Sequence, residues 1–266
     1  MRPQLRFSAN ISFMFTERPF LERFGAAAAA GFEAVECHFP YDHTLDDLRH
    51  ALRESGLELN GLNTAPGDVG AGEWGRAALP GREADFAADF EQALHYAHAL
   101  GASTIHVMSG VVEAASRPQA LDTFAGNLRR VAPVADRQGL TLLIEPLNTR
   151  DKTAYLFSRS DDVAAFIERL SAPNVRLLFD IYHVQVMEGD LTTRLRRHFP
   201  LIGHVQIAAV PSRAEPDRGE VHYPALLAEL AGLGYAGWIG CEYRPAGRTE
   251  DGLGWMGRRA GGAIQS

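Results

Sequence analysis

The chain has 266 residues, 46% of them hydrophobic, and 26 basic against 33 acidic side chains give a net charge of −7. That length and apolar share suit one large globular domain spanning residues 1–266, and the acidic balance favours solubility and gives no hint of a nucleic-acid partner. Cys37 and Cys241 are too few for a disulfide framework, the N-terminus lacks the apolar core of a signal peptide, and no apolar run approaches the ~20 residues of a membrane span. The expectation is a cytoplasmic protein with no membrane partner.

The first apolar run, Leu5 to Asn10, predicts a strand ending in Asn10-Ile11-Ser12, and the alanine-rich segment Phe20 to Gly31 predicts a helix. Phe32 to Glu36 is a second strand, trailed by Cys37-His38-Phe39-Pro40. Thr44 to Gly56 predicts a helix, because Thr44 can cap it, Asp46 and Asp47 fall in its first turn and Gly56 can end it. Leu57 to Leu62 alternates as a third strand. Residues 64–82 are rich in Gly and Ala with no clear period, and a loop of that length is a candidate lid or a loose surface excursion. Glu83 to Gly101 and Pro118 to Gly139 predict helices on either side of a fourth strand, Ser103 to Met108.

Strand five is Leu142-Leu143-Ile144, running straight into Glu145 and stopped by Pro146. A continuous apolar run with a breaker after it predicts a strand buried on both faces, with Glu145 at its carboxyl end. The pattern returns three times: Val175 to Phe179 ends on Asp180, Ile202 to Val205 on Gln206, and Trp238 to Cys241 on Glu242. Between these strands a helix opens at Ser160-Asp161-Asp162, another is broken by Gly189 within Val184 to Phe199, and a third spans Tyr223 to Gly234. In the Gly-rich stretch from Arg248 onward, Trp255 and Met256 are large apolar anchors that could pack across the interface of a homo-oligomer.

Eight strands alternating with helices predict a parallel α/β architecture, and eight is the number that closes a TIM barrel, (β/α)8. A doubly wound sheet would carry a Gly-rich phosphate turn after strand one, where this chain has Ser8-Ala9-Asn10-Ile11-Ser12. In a barrel, strand-end residues converge on one opening, so Glu145, Asp180, Gln206 and Glu242 should gather there. Three carboxylates so placed repel one another, and a divalent cation removes the conflict. An all-oxygen set calls for a hard ion, Mg2+ or Mn2+. Around this centre, His183, His106 and His38 could line the opening, Arg213 could grip an anionic substrate group or pair with Glu215, and Arg244 could pair with Glu242 or face water.

Ile144-Glu145-Pro146-Leu147-Asn148, Phe179-Asp180-Ile181-Tyr182-His183, His204-Val205-Gln206-Ile207-Ala208 and Gly240-Cys241-Glu242-Tyr243 resemble the hydroxypyruvate isomerase family, part of the xylose-isomerase-like TIM barrels. Phe7 to Glu17 and His106-Val107-Met108-Ser109-Gly110 are similar to it as well, so the resemblance covers nearly the whole chain in order. It implies a metal-assisted aldose–ketose type isomerase of a small oxo acid, hydroxypyruvate or a 2-oxo-tetronate, working through an enediolate. Carried over, Glu145 and Glu242 would be the acid/base pair and, with Asp180 and Gln206, the metal ligands, while His183, Arg213, His106 and Asn10 would bind substrate. Two segments depart from the pattern: Ala209 and Ser212 stand where Asp and Gly are expected, and Thr153-Ala154 where Pro-Gly is common. Both lie in loops expected to face the substrate, so they bear on which oxo acid is used.

Three other readings compete. A ketose 3-epimerase of the same barrel group would use the same strand ends, but with a histidine in place of Gln206. A catalytically silent barrel would bind a sugar acid or a partner protein without exchanging substrate protons. An apurinic endonuclease relative is disfavoured, since it would need more histidine ligands and a basic face.

Overall fold

The alternation of short apolar runs with helical segments closes into a ring of parallel strands. The computed structural model describes residues 4–257. Its strands are β1 (Arg6–Asn10), β2 (Ala34–Glu36), β3 (Glu58–Asn63), β4 (Thr104–His106), β5 (Thr141–Ile144), β6 (Val175–Asp180), β7 (Ile202–Ile207) and β8 (Trp238–Cys241). They pair in sequence order, and β1 pairs with β8 to complete a closed eight-stranded barrel. The register sets Asn10 beside Glu36, Asp180 beside Gln206, and Gln206 beside Gly240, so polar side chains from distant parts of the chain reach one level of the barrel.

The helices are α1 (Glu22–Ala29), α2 (Leu45–Ser55), α3 (Glu83–Leu100), α4 (Arg117–Arg137), α5 (Ser160–Leu170), α6 (Ile181–Met187), α7 (Leu191–His198) and α8 (Tyr223–Leu233). Their ends follow the sequence signals. Thr44 Oγ1 accepts from the Asp47 N–H at the start of α2, and Gly56 ends that helix at φ +68. The break at Gly189 separates α6 from α7. An aromatic cluster of Phe124, Phe157 and Phe166 joins α4 and α5, with Phe124 and Phe166 stacked at 5.3 Å.

The segment 64–82 is docked. Ala77 and Ala78 are fully buried, Arg76 Nε donates to Asp89 of α3 at 2.9 Å, and Gly75 pairs antiparallel with Ser109. Gly75 needs to be glycine, because φ is +98 and a Cβ there would lie 2.3 Å from the Met108 carbonyl oxygen. The tip, around a short 3-10 turn at Val69–Ala71, stands in solvent, as does Gly81. Trp255 packs edge-on against Phe7 of the same chain at 5.4 Å and stays half-buried. No helix among the described residues is long and apolar enough to cross a membrane.

Candidate active site

Each strand delivers its last residues to the carboxyl end of the barrel, where a cavity of about 490 Å³ opens. Asp180 is the last residue of β6 and Gln206 the last but one of β7, while Glu145 and Glu242 stand one residue past β5 and β8. All four are buried. Glu145 and Glu242 line the cavity together with His106, His183, Arg213, His38, Phe13, Trp74 and Tyr182. Asn10 reaches the same place from β1 by donating Nδ2 to Glu242 Oε2 at 2.9 Å. Asp180 and Gln206 do not line the cavity themselves but lie against residues that do, Asp180 3.5 Å from His183 and Gln206 2.7 Å from Glu242.

On the β5–β6 side, Glu145, Asp180 and His183 bring potential ligand atoms within 4.8 Å of one another. His183 accepts at Nδ1 from the Asn148 backbone N–H at 3.0 Å, so its ring proton belongs on Nε2. That nitrogen faces Asp180 Oδ2 at 3.5 Å and Glu145 Oε1 at 3.8 Å. In this tautomer Nε2 is a donor, fitted to an oxygen of substrate and not to a cation. Burial, helped by Arg213, holds the His183 pKa well below the usual value, which keeps the ring neutral. Burial likewise brings His106, 3.7 Å from Glu145, down to about 3.

Glu145 Oε1, Asp180 Oδ2 and Gln206 Oε1 are buried acceptors with no hydrogen-bond partner. Buried acceptors without partners are costly, and oxygens left open side by side suit a hard divalent cation. The residues present therefore fit a divalent cation of that kind. Without a cation, burial and the neighbouring charges of Glu242 and Asp180 push the Glu145 pKa well above the carboxylate range. Burial raises Asp180 to about 7, although Arg213 pulls the other way.

On the β7–β8 side, Glu242 is saturated. Glu242 Oε1 accepts from Arg213 Nη2 at 2.6 Å, and Oε2 accepts from Gln206 Nε2 at 2.7 Å and Asn10 Nδ2 at 2.9 Å. His38 Nε2 lies 3.2 Å from the same oxygen. Burial alone would raise the Glu242 pKa, but the His38 ring and the Arg213 guanidinium outweigh it and bring it to about 2. Arg213 is clamped between the rings of Phe13 and Tyr182 and also reaches Asp151 at 3.1 Å, so Glu215 is not its partner. Arg244 stays exposed beside Phe13 and lines the cavity without touching Glu242.

Two groups were not singled out from the sequence. Glu36 at the end of β2 is buried under the site, with His204 Nε2 2.7 Å from its Oε2. It ends its strand on a carboxylate just as β6 does, which is the signal that could have found it. The second is Lys152, whose Nζ stands 3.9 Å over the Trp74 ring at the cavity rim; no local pattern marks it.

The chain matches the family described as "Xylose isomerase-like TIM barrel" over residues 24–259 and belongs to that family of barrels. Within it, the chain falls in the hydroxypyruvate isomerase branch. It is 51% identical to the 2-oxo-tetronate isomerase of Cupriavidus necator over 94% of this chain and 97% of that protein. It is 41% identical to the hydroxypyruvate isomerase of Escherichia coli over 95% and 98%. A crystal structure from Brucella melitensis, titled as a family 2 AP endonuclease, superimposes with a TM-score of 0.93 at 46% identity, covering 95% of this chain and 98% of that one. The 3-keto-D-glucoside 4-epimerase of E. coli shares the fold, with a TM-score of 0.80 at 21% identity over 95% and 99% of the two chains.

Proposed function

We propose that the chain isomerises a small hydroxy-oxo acid, moving the carbonyl between adjacent carbons, and that a four-carbon 2-oxo-tetronate is preferred to hydroxypyruvate. Its observational support is one cavity in which two carboxyls meet open oxygen acceptors beneath a cationic rim of Arg150, Lys152, Arg213 and Arg244. A rim of that charge on a chain of net charge −7 suits an anionic substrate. The preference for four carbons follows the printed names of relatives at 51% and 45% identity.

The chemistry is a 1,2-proton shift. A proton leaves the hydroxyl-bearing carbon, an enediolate forms, and a proton returns to the neighbouring carbon while the hydroxyl proton passes to the other oxygen. Glu145 and Glu242 open onto the cavity from strands three apart in the ring, and they serve as base and acid. Glu145, Asp180 and Gln206 would hold a Mg2+ or Mn2+ ion through their open oxygens, and Glu242 would join them by giving up one of its donors; the ion when bound supplies Lewis-acid stabilisation of negative charge on substrate oxygen. His183 donates its Nε2–H to a substrate oxygen, and Arg213 and Lys152 engage the substrate carboxylate. Trp74 and Phe13 supply apolar walls that limit water at the reacting carbons.

The test is uptake of deuterium from heavy water into 2-oxo-tetronate, hydroxypyruvate and a free ketohexose, each with and without chelator. Exchange confined to the oxo acids and lost with chelator is expected. Faster exchange in the ketohexose would favour an epimerase, and no exchange in any of the three would leave a binding barrel.

A further inference from the structure

Glu36 is a fully buried carboxylate that takes no part in the acid/base chemistry above, yet it touches much of what surrounds that chemistry. Its Oε2 lies 2.7 Å from His204 Nε2 and accepts from Asn60 Nδ2 at 3.2 Å. Its Oε1 accepts from Gln206 Nε2 at 2.7 Å and Asn10 Nδ2 at 3.1 Å. Both of those amide nitrogens also donate to Glu242 Oε2, at 2.7 Å and 2.9 Å.

An amide NH2 has two hydrogens, and here each of two amides spends one on Glu36 and one on Glu242. The consequence is a fixed choice of side-chain flip. If the Gln206 amide were reversed, its carbonyl oxygen would face two carboxylate oxygens at hydrogen-bond distance with no proton between them. With Nε2 turned to the carboxylates, Oε1 is left buried and without a partner. Register sets that residue beside Asp180, whose Oδ2 is open as well.

We infer that Glu36 is a positioning residue: it fixes the Gln206 amide so that its carbonyl oxygen, and not its NH2, is presented to the cation site. The inference rests on the ligand set proposed above. The barrel makes room for Glu36 through Gly240, since a Cβ at that position would lie 2.5 Å from Glu36 Oε1 and 2.7 Å from Oε2. Ligand-orienting partners of this kind are typically worth about 10–100-fold in metal affinity.

The experiment is Mn2+ titration of the chelator-treated full chain by calorimetry, with the melting temperature of each protein measured alongside. Glu36→Leu removes both acceptors, and Gly240→Ala keeps the charge but displaces the carboxylate. Each should weaken Mn2+ binding by about tenfold or more, and neither should weaken it further in a Gln206→Met background, because both act through that one oxygen. A purely structural role would lower the melting temperature and leave Mn2+ affinity in place. If Glu36→Leu does not fold, Gly240→Ala decides the matter alone. Wild-type Mn2+ affinity in a folded variant, or losses that add to that of Gln206→Met, would overturn the inference and leave the isomerase reading intact. Failure of the unmodified chain to bind Mn2+ would remove the ion from that reading and this inference with it.

Discussion

The β5–β6 wall of the cavity and the wall formed by β7, β8, β1 and β2 carry similar groups in opposite states. On the first, Glu145 Oε1 and Asp180 Oδ2 are open, and both carboxyl pKa values are raised. On the second, Glu242 is held by Arg213, Gln206, Asn10 and His38 and driven down to about 2. The difference comes from supply of donors, since all three carboxyls are buried. One wall is pre-organised for negative charge, and the other has Arg213 as a positive neighbour only at 4.0 Å from Asp180 Oδ2, too weakly placed to offset burial. Under the proposed function, the open wall would take the cation and Glu242 would stand beside it as an acid/base group.

The comparison breaks most directly at Glu242. Glu242→Gln should lower kcat/KM by about 10²–10⁴-fold, the usual contribution of a general acid or base, and deuterium exchange should fall with it. Full activity in that variant would mean the saturated wall is only structural.

Next comes the unsaturated wall. Mn2+ at a hundredfold excess over its Kd should stabilise the fold by about 2.7 kcal/mol, raising Tm by about 5–10 °C for a chain of this size. Asp180→Asn should erase most of that rise in scanning calorimetry. An equal rise in the variant would place the ion elsewhere.

The two walls should also respond oppositely to pH in metal-free protein. Glu242 and Glu36 have folded pKa values below the unfolded ones, so the stability they contribute is present above about pH 4–5 and is lost as pH falls toward about 2. Asp180, raised to about 7, binds its proton more tightly when folded, so stability drains as pH rises from about 4 toward 7. Tm of the chelator-treated protein should therefore peak in mild acid, and Asp180→Asn should flatten the decline above the peak. A Tm that climbs steadily to neutrality would contradict the assignment of strain to the β5–β6 wall.

The smallest effect belongs to the rim. Lys152→Gln should raise KM for the oxo acid by about two- to fivefold with kcat unchanged, in line with an exposed charge contact of about 0.2–1 kcal/mol. An unchanged KM would remove Lys152 from substrate recognition.

Much of this was legible in the sequence because strand ends are local features. Apolar runs closing on Glu145, Asp180, Gln206 and Glu242 need only a short window to be seen, and the barrel count follows from repeating that window. Helix limits at Thr44, Gly56 and Gly101 were equally local, since capping chemistry acts over a single turn. Segment 64–82 showed no period because its order comes from burial of Ala77 and Ala78 and from the Arg76–Asp89 pair, which link it to other elements. Arg213 left its partner open between Glu215 and the site, and chain reversal after β7 decided for Glu242.

What the sequence determined by itself was the rhythm of strand and helix and the set of oxygen-bearing residues each strand would deliver. Those are properties of side-chain order within a few residues. Only the closed barrel decided which carboxyls would be satisfied and which left open, because Asn10, Glu36, Gln206 and Glu242 become neighbours through register and ring closure. Hydrogen-bond saturation is a property of that neighbourhood, and residues separated by up to 232 positions share it.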